Sequence, residues 1–279
     1  MLESKCLPNG FEYIEVTNKA ATAKIALQGA HLFSYKPHNK KEVLWLSELS
    51  DFEAGKAIRG GIPVCWPWFG MNDNLTLPQH GFARTSKFTL TGTDESDPYI
   101  TKIRLTLTQT QESLKLWKFA FGLELHISIS NTLTLELKTT NTDTKFFQIT
   151  QALHTYFNIS DISNIAISGL DTKVYLDALT SKYHTQKGSI TFQREIDRVY
   201  QGVNKEIQLQ DINKTITLQN SGSSSVVIWN PWIQKCARMS AMKKDAYKEF
   251  VCIETANAFE DFKLLEPKQS HTLRATFVP

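Results

Sequence analysis

The chain has 279 residues, of which 41% are hydrophobic, so it can bury a sizeable core in one large domain or in two ordinary ones. Its 31 basic and 28 acidic residues give a net charge of +3 without a long basic run, which indicates neither a nucleic-acid nor a membrane partner. The N-terminal residues contain no apolar signal core, and no stretch approaches the roughly 18 apolar residues of a membrane span, so we expect a cytoplasmic protein.

Alternation of apolar and polar residues with a period of two dominates the chain and predicts β-strands. In residues 123–137 the leucine and isoleucine side chains all fall on odd numbers, and Asn131 interrupts the run, which predicts a hairpin with one buried face. The strongest helical signal lies in residues 237–250 and is short and polar. Further short strands are predicted, in chain order, at 11–17, 22–35, 103–107, 145–152, 165–168, 173–176, 206–210, 215–219, 225–229 and 250–254.

So many strands at short spacing, without a long linker or an internal repeat, predict an all-β fold. We expect one large antiparallel β-sandwich over residues 1–279, with few short helices; a barrel is the alternative that alternation alone leaves open. The four cysteines contain no CxxC pair, so we expect reduced thiols and no zinc site.

Four segments break the strand pattern with polar and aromatic residues. The first, RGGIPVCWPWFG at 59–70, combines glycines and prolines with aromatic faces that suit the apolar C–H side of a sugar ring. The second, LPQHGFAR at 77–84, is a loop that would bring Gln79, His80 and Arg84 together. Each segment taken alone also fits a purely structural loop. The first would be held in place by packing of its aromatic residues, and the second would be a turn in which Arg84 makes a surface salt bridge.

The third and fourth segments bring a histidine and a glutamate into strand-like surroundings. His154 lies in QALHTYFNIS at 151–160, either as a hydrogen-bonded core residue or as an imidazole that titrates near neutral pH. Glu254 follows the apolar start of VCIETANA at 251–258, where a carboxylate must be paired, hydrogen-bonded or open to a cleft. Asp197, in the charged run REIDRVY, is by itself typical of a solvated face.

Several motifs of the chain occur in the order seen in glucose-6-phosphate 1-epimerases, a branch of the aldose 1-epimerase superfamily. These motifs are RGGIP, PQHGFAR, HTYF, EIDRVY, WNPW and VCIET, and with them the chain resembles the family over nearly its whole length. The resemblance implies a galactose mutarotase-like β-supersandwich, which is a large antiparallel sandwich with a long open cleft.

The resemblance also implies roles for individual residues. In the family the histidine at the position of His154 is the general acid, and the glutamate at the position of Glu254 is the general base. His80 matches a cleft histidine of related galactose mutarotases. The family needs no metal or organic cofactor, and a monomer is expected. The positions that would bind the substrate are Arg59, Gln79, His80, Arg84 and Asp197.

Interconversion of α and β anomers opens and closes the sugar ring by proton transfer. A base takes the proton of the C1 hydroxyl, an acid protonates the ring oxygen, and the two groups exchange roles when the ring closes. We expect Glu254 and His154 on opposite sides of one pyranose, the first ionised and the second partly protonated, as ordinary pKa values of roughly 4.3 and 6.5 allow. Arg59 and Arg84, both on loops, match phosphate oxygens.

The sequence therefore predicts an isomerase that interconverts the anomers of hexose 6-phosphates, with glucose 6-phosphate as the substrate that fits best. The alternatives are an aldose 1-epimerase acting on free sugars such as galactose, and a non-catalytic protein that binds sugar phosphates on the same sandwich. The arginine pair favours the phosphorylated substrate, and the presence of both His154 and Glu254 favours an enzyme.

Overall fold

The computed structural model describes residues 1–279 and consists mainly of β-strands. The two α-helices are α1 (Gln111–Leu116) and α2 (Trp232–Cys236), and neither is long and apolar enough to cross a membrane. In chain order the strands are β1 (Leu2–Cys6), β2 (Glu12–Thr17), β3 (Ala21–Ala26), β4 (His31–Pro37), β5 (Val64–Cys65), β6 (Thr89–Asp97), β7 (Ile100–Thr108), β8 (Phe121–Ile129), β9 (Leu133–Asn141), β10 (Phe147–Ile149), β11 (Gln151–Leu153), β12 (Tyr156–Asn158), β13 (Ala166–Ser168), β14 (Val174–Asp177), β15 (Lys182–Thr185), β16 (Ile196–Tyr200), β17 (Ile207–Asp211), β18 (Lys214–Ser221), β19 (Ser225–Asn230), β20 (Phe250–Asn257), β21 (Lys263–Leu265) and β22 (Ser270–Val278).

Two eight-stranded antiparallel sheets form the body of the fold. Sheet I has the strand order β13-β17-β18-β22-β9-β8-β7-β6. Sheet II has the order β15-β14-β16-β19-β20-β11-β5, and β12 also pairs with β20. A four-stranded sheet of β1–β4 and the pair of β10 and β21 complete the fold. The predicted all-β sandwich with few short helices is confirmed, while its organisation as a single domain stays a prediction.

The main core lies between the two large sheets. One cluster of 55 buried residues takes side chains from both, for example Leu125 and Leu135 of sheet I and Ile228 and Ile253 of sheet II. The two leucines lie on β8 and β9, which form the predicted hairpin. Burying one such side chain contributes about 1.5–3 kcal/mol, so this layer is the main force that joins the sheets.

Strand β20 is buried on both of its faces. Val251 and Ile253 belong to the main core, whereas Cys252 and Ala256 belong to a second buried cluster of 14 residues on the other side of sheet II. Because side chains alternate along a strand, Glu254 shares the face of Cys252 and Ala256. The second face of sheet II therefore carries this carboxylate, away from the main core.

The predicted helix at 237–250 is wrong. Ala241 has a φ of 53°, which a right-handed helix does not permit, and only a short 3-10 turn at Ala246–Lys248 follows before β20 begins. Helical residues occur earlier, in α2, which begins directly after Pro231. A proline suits that position because its missing N–H has no partner within the helix there.

Two predicted strands each divide into two. Residues 22–35 contribute to β3 and β4, which are joined by a turn where Gly29 and Ala30 have φ values of 74° and 46°. Residues 145–152 contribute to β10 and β11, and β10 pairs with β21 instead of joining sheet II. A single glycine inside an apolar run is a weak turn signal, so the alternation does not reveal the first break.

The loop that carries His80 is bent back on Trp66. His80 and Gly81 have left-handed φ values of 64° and 71°, and the N–H of Phe82 donates to the carbonyl oxygen of Trp66 at 3.0 Å. A Cβ atom on Gly81 would lie 1.9 Å from that oxygen. Only glycine fits at this position, and the close contact fixes the direction in which His80 leaves the loop.

We expect Gly81→Ala to lower the free energy of unfolding by at least about 3 kcal/mol, because it adds a clash with Trp66 to the cost of a left-handed alanine. The matched control is Gly188→Ala. Gly188 has a similar φ of 64° and its Cβ would meet no atom within 4 Å, so a loss of about 1–2 kcal/mol is expected. Urea unfolding followed by tryptophan fluorescence measures both losses, and equal values would contradict the clash.

Candidate active site

A cleft of about 500 Å³ opens over the second face of sheet II. The register of the strands places Asp197 beside Trp229 and Val227 beside Glu254. Because cross-strand partners point to the same face, Asp197 of β16, Trp229 of β19 and Glu254 of β20 all project into the cleft. The strand spacing of about 4.8 Å therefore determines how far apart these groups lie along the floor.

The residues predicted to form the site all line this one cleft. They come from distant parts of the chain. The register of sheet II and two loops bring their side chains together in the cleft. The role of each residue stays a prediction. The set consists of His154 and Glu254, together with Arg59, Gln79, His80, Arg84 and Asp197.

His154 and Glu254 are direct neighbours in the cleft. Nε2 of His154 lies 3.3 Å from Oε1 of Glu254, because β11 and β12 both pair with β20 and His154 lies between them. The chain turns tightly there, with the N–H of Thr155 donating to the carbonyl oxygen of Leu153 at 2.9 Å. The expectation that the two groups stand on opposite sides of a pyranose is wrong, since they lie side by side on one wall.

Burial controls the protonation of this pair, whose side chains are only 11% and 2% exposed. It raises the pKa of Glu254 well above its ordinary value, and the Asp197 carboxylate raises it further. It lowers the pKa of His154 well below its ordinary value, and nearby charges, including those of Arg84 and Arg59, lower it further. Both shifts favour the uncharged forms, a carboxylic acid on Glu254 and a neutral imidazole on His154. These directions run against the ionised glutamate and partly protonated histidine expected from ordinary pKa values.

Arg59 and Arg84 reach the cleft from loops. The backbone N–H of Arg59 donates to the hydroxyl of Ser50 at 2.8 Å, while its side-chain Nε is buried without a hydrogen-bond partner. Arg84 lies in a 3-10 turn and donates from Nη2 to the carbonyl oxygen of Gln79 at 2.6 Å. Because a guanidinium has five N–H donors, both side chains retain donors for a ligand.

Charge is distributed unevenly along the cleft. The guanidinium groups of Arg59 and Arg84 lower the pKa of His154, whereas the carboxylate of Asp197 raises the pKa of Glu254. Electrostatic effects of this kind fall with distance. Arg59 and Arg84 therefore bring positive charge near His154, and Asp197, which is paired with Lys235, brings negative charge near Glu254.

His80 presents a fixed hydrogen-bond donor to the cleft. Its Nδ1 accepts the N–H of Gly70 at 3.1 Å, so the ring proton of the neutral form is on Nε2. Burial, together with the charges of Arg84 and Arg59, lowers the pKa of His80 to about 3. Its ring lies edge-on to that of His154, with the centroids 5.7 Å apart. The site thus contains a neutral imidazole donor beside the pair.

Lys235 also lines the cleft, although it was not predicted. Its Nζ lies 2.9 Å from Glu195 and 3.7 Å from Asp197, and it sits 5.8 Å from the centre of the Trp229 ring. Asp197 is therefore part of a half-buried ion pair in the cleft and does not lie on a solvated face. The only sequence signal near Lys235 is the aromatic WNPW turn at 229–232 that precedes it.

The chain is similar to sugar epimerases over nearly its whole length. The profile of the family described as aldose 1-epimerase matches residues 12–277. A protein from Escherichia coli (strain K12) named "Putative glucose-6-phosphate 1-epimerase" is 38% identical over 264 residues, covering 93% of this chain and 88% of the relative. A protein of the same name from Cenchrus ciliaris is 36% identical, covering 89% and 79%. The crystal structure of a "putative mutarotase (YeaD)" from Salmonella typhimurium has a TM-score of 0.93 at 35% identity, covering 99% of this chain and 92% of that one.

The fold is that of a mutarotase, an enzyme that interconverts the anomers of a sugar. The chain belongs to the aldose 1-epimerase family and is a sugar epimerase, an isomerase of carbohydrate metabolism. Family membership leaves the choice of sugar open, and the distribution of charge in the cleft bears on that choice.

We expect the His80 ring to stay neutral, with its proton on Nε2, between about pH 5 and pH 8. Folding lowers the pKa of His80, so the unfolded chain takes up a second ring proton more readily than the folded protein does. Stability contributed by the neutral His80 ring is therefore lost as the pH falls below about 6.5. Nitrogen-15 NMR of histidine-labelled protein, assigned with His80→Gln, reports the tautomer. A His80 resonance that titrates near pH 6.5 would contradict this assignment.

Proposed function

We propose that the protein interconverts the α and β anomers of hexose 6-phosphates, with glucose 6-phosphate as the substrate that fits best. The observation that carries this proposal is that Arg59 and Arg84 line the same cleft as the His154–Glu254 pair and keep N–H donors free for a ligand. The relatives named "Putative glucose-6-phosphate 1-epimerase", at 38% and 36% identity, support the same substrate.

The neighbouring positions of His154 and Glu254 suit the two oxygens that exchange protons in this reaction. The ring oxygen and the anomeric hydroxyl oxygen are both bonded to C1, so the groups that serve them must also be neighbours. The 3.3 Å between Nε2 and Oε1 meets this requirement. Glu254 takes the proton of the C1 hydroxyl, and His154 protonates the ring oxygen. After rotation about C1–C2, the ring closes on the other face of the carbonyl.

The pair carries one proton throughout the cycle. Ring opening starts from imidazolium and carboxylate and ends with imidazole and carboxylic acid, since one proton leaves His154 for the sugar and another leaves the sugar for Glu254. Ring closure reverses both transfers. The pair is then ready for either anomer without exchange of a proton with water. Burial favours the neutral form, so it stabilises the pair while the open-chain sugar turns.

The C6 phosphate must lie on the His154 side of the sugar. C6 is attached to C5, which is bonded to the ring oxygen, and this oxygen is the atom that His154 serves. Arg59 and Arg84 act on this side and offer donors that match phosphate oxygens in geometry and charge. The C2 hydroxyl falls toward Glu254, where Asp197 accepts hydrogen bonds from the sugar.

Phosphate binding also prepares His154 for its role. In the free protein the charges of Arg59 and Arg84 lower its pKa and disfavour the imidazolium. A phosphate dianion against the arginines offsets their charge, so His154 gains its proton more readily when a phosphosugar is bound. A free sugar lacks this effect. The arginines therefore favour the phosphosugar in kcat as well as in KM.

The other lining residues suit the rest of a pyranose. Tyr156 and Trp229 offer apolar ring surface beside the pair, and such surface packs against the C–H face of a sugar. Gln79 and His80 supply amide and imidazole groups that hydrogen-bond to hydroxyls. These groups bind free and phosphorylated sugars alike, so the arginines are the main source of discrimination.

We also propose that the chain acts as a monomeric, single-domain, cytoplasmic enzyme on a small hexose phosphate, without a metal or organic cofactor. Ring opening by proton transfer needs neither a hydride carrier nor a protein nucleophile, which supports the last point. The mild net charge of +3 supports the absence of a nucleic-acid or membrane partner.

We expect His154→Asn and Glu254→Gln each to reduce the exchange rate between the anomers of glucose 6-phosphate by about 10²–10⁴-fold, since each removes one proton-transfer group. Exchange NMR at equilibrium measures this rate, with the rate without protein subtracted. Binding of glucose 6-phosphate, measured by calorimetry, should change little because the arginines remain.

A second histidine–glutamate pair in the same protein provides the matched control. His126 and Glu124 lie 2.9 Å apart on the partly exposed face of β8, outside the cleft. His126→Asn and Glu124→Gln should leave the exchange rate unchanged. Wild-type rates in His154→Asn or Glu254→Gln would refute the acid–base assignment, and tight binding without any wild-type catalysis would favour a non-catalytic sugar-phosphate-binding protein.

We expect Arg84→Ala to lower kcat/KM for glucose 6-phosphate by about 10–100-fold and to change kcat/KM for galactose far less, because only the phosphorylated sugar loses a charge-assisted contact. Arg104→Ala, on the exposed face of β7, is the control and should affect neither sugar. An equal loss on both sugars would exclude Arg84 as a phosphate ligand. A clear preference of the wild type for galactose would replace the proposed substrate by the free sugar.

A further inference from the structure

Cys252 lies next to the His154–Glu254 pair. Its Sγ, one ring nitrogen of His154 and one carboxylate oxygen of Glu254 all lie within 4.8 Å of one another, and all three residues are buried. Cys252 and Glu254 share a face of β20 because they are two residues apart on one strand. Tyr156, close to His154 in the chain, is paired with Cys252 across the sheet. The sheet therefore fixes three different donor types around one point.

These donors form a set that binds zinc in proteins. Thiolate, imidazole and carboxylate are the ligands that Zn²⁺ takes, and the thiolate selects it over Mg²⁺ and Ca²⁺. Two nitrogen or oxygen ligands at about 2.1 Å from a tetrahedral Zn²⁺ are roughly 3.4 Å apart. The separation of Nε2 and Oε1 is 3.3 Å, so two corners of the tetrahedron are already in position.

One polar atom of the pair points to a further partner. Oε2 of Glu254 is buried and has no hydrogen-bond partner in the protein, so the carboxylate keeps an unused oxygen next to Oε1. Both side chains line the cleft, which gives an ion a path to them. Three protein ligands leave one position of a tetrahedral ion free, which water or another small ligand can take.

We propose that His154, Cys252 and Glu254 form a site for a thiophilic divalent cation, with Zn²⁺ as the best fit, and that its occupation inhibits the enzyme. The inhibition, unlike the binding, rests on the proposed function, since the ion occupies both groups that would transfer protons. The expectation of no zinc site came from the absence of a CxxC pair. This site has no familiar sequence motif, because His154 lies far from Cys252 and Glu254 in the chain and meets them only through sheet II.

Direct binding is tested first, without any sugar. Chelator-treated wild-type protein should bind one equivalent of Zn²⁺ by calorimetry. With Co²⁺ as a probe, it should show a thiolate-to-cobalt charge-transfer band and the visible bands of tetrahedral cobalt. Cys252→Ala and Cys252→Ser should weaken Zn²⁺ binding by at least about 10-fold and remove the charge-transfer band. Cys236→Ser is the matched control, because Cys236 is also buried in the second cluster but lies outside the ligand set.

Inhibition is then measured on glucose 6-phosphate exchange, with each variant compared with its own metal-free rate. Zn²⁺ should inhibit the wild type and Cys236→Ser equally, and Cys252→Ala should need at least about 10-fold more Zn²⁺. Cobalt binding without a thiolate band, or unchanged Zn²⁺ affinity in both Cys252 variants, would overturn the site. Binding as expected in a protein without epimerase activity would support the metal site and refute the proposed function, so the two failures are distinguishable.

Discussion

The contact between a buried imidazole and a buried carboxylate is the constraint on which the rest of the cleft depends. An isolated charge in such a place is costly, but two groups that share one proton can be buried together as a neutral pair. Sheet II makes this arrangement possible, because β20 buries one face in the main core and presents Glu254 on the other. The break between β11 and β12 then places His154 at 3.3 Å.

The charges around the pair connect substrate binding to proton transfer. Arg59 and Arg84 depress the pKa of His154, and Asp197 raises that of Glu254, so both effects favour the neutral pair in the free protein. An anionic substrate reverses the first effect and leaves the second in place. Under the proposed function, the groups that bind the phosphate also control the pKa of His154, which is a physical reason for specificity to appear in the rate and not only in the affinity.

Local patterns predicted the strands and the unusual residues, because both leave traces in short stretches of sequence. Glu254 was conspicuous as a charge in a buried strand and His154 as an interruption of one, while the hairpin of β8 and β9 followed from its alternation. The helix predicted around Ala241 is absent because Ala241 has a positive φ, which the sequence does not reveal at an alanine. The position of Lys235, the contact between His154 and Glu254 and the position of Cys252 depend on which strands become neighbours, and short-range patterns do not determine that register.

The metal site and the acid–base pair follow from the same geometry. Two groups that transfer protons to oxygens on the same carbon lie about as far apart as two ligands of a tetrahedral zinc ion. Such a pair can therefore bind a metal ion when a third donor is near. Cys252 supplies that donor while packing as a small apolar residue in the second cluster. Because side chains alternate along a strand, Cys252 and Glu254 project from the same face of β20, and the thiol lies beside the carboxylate.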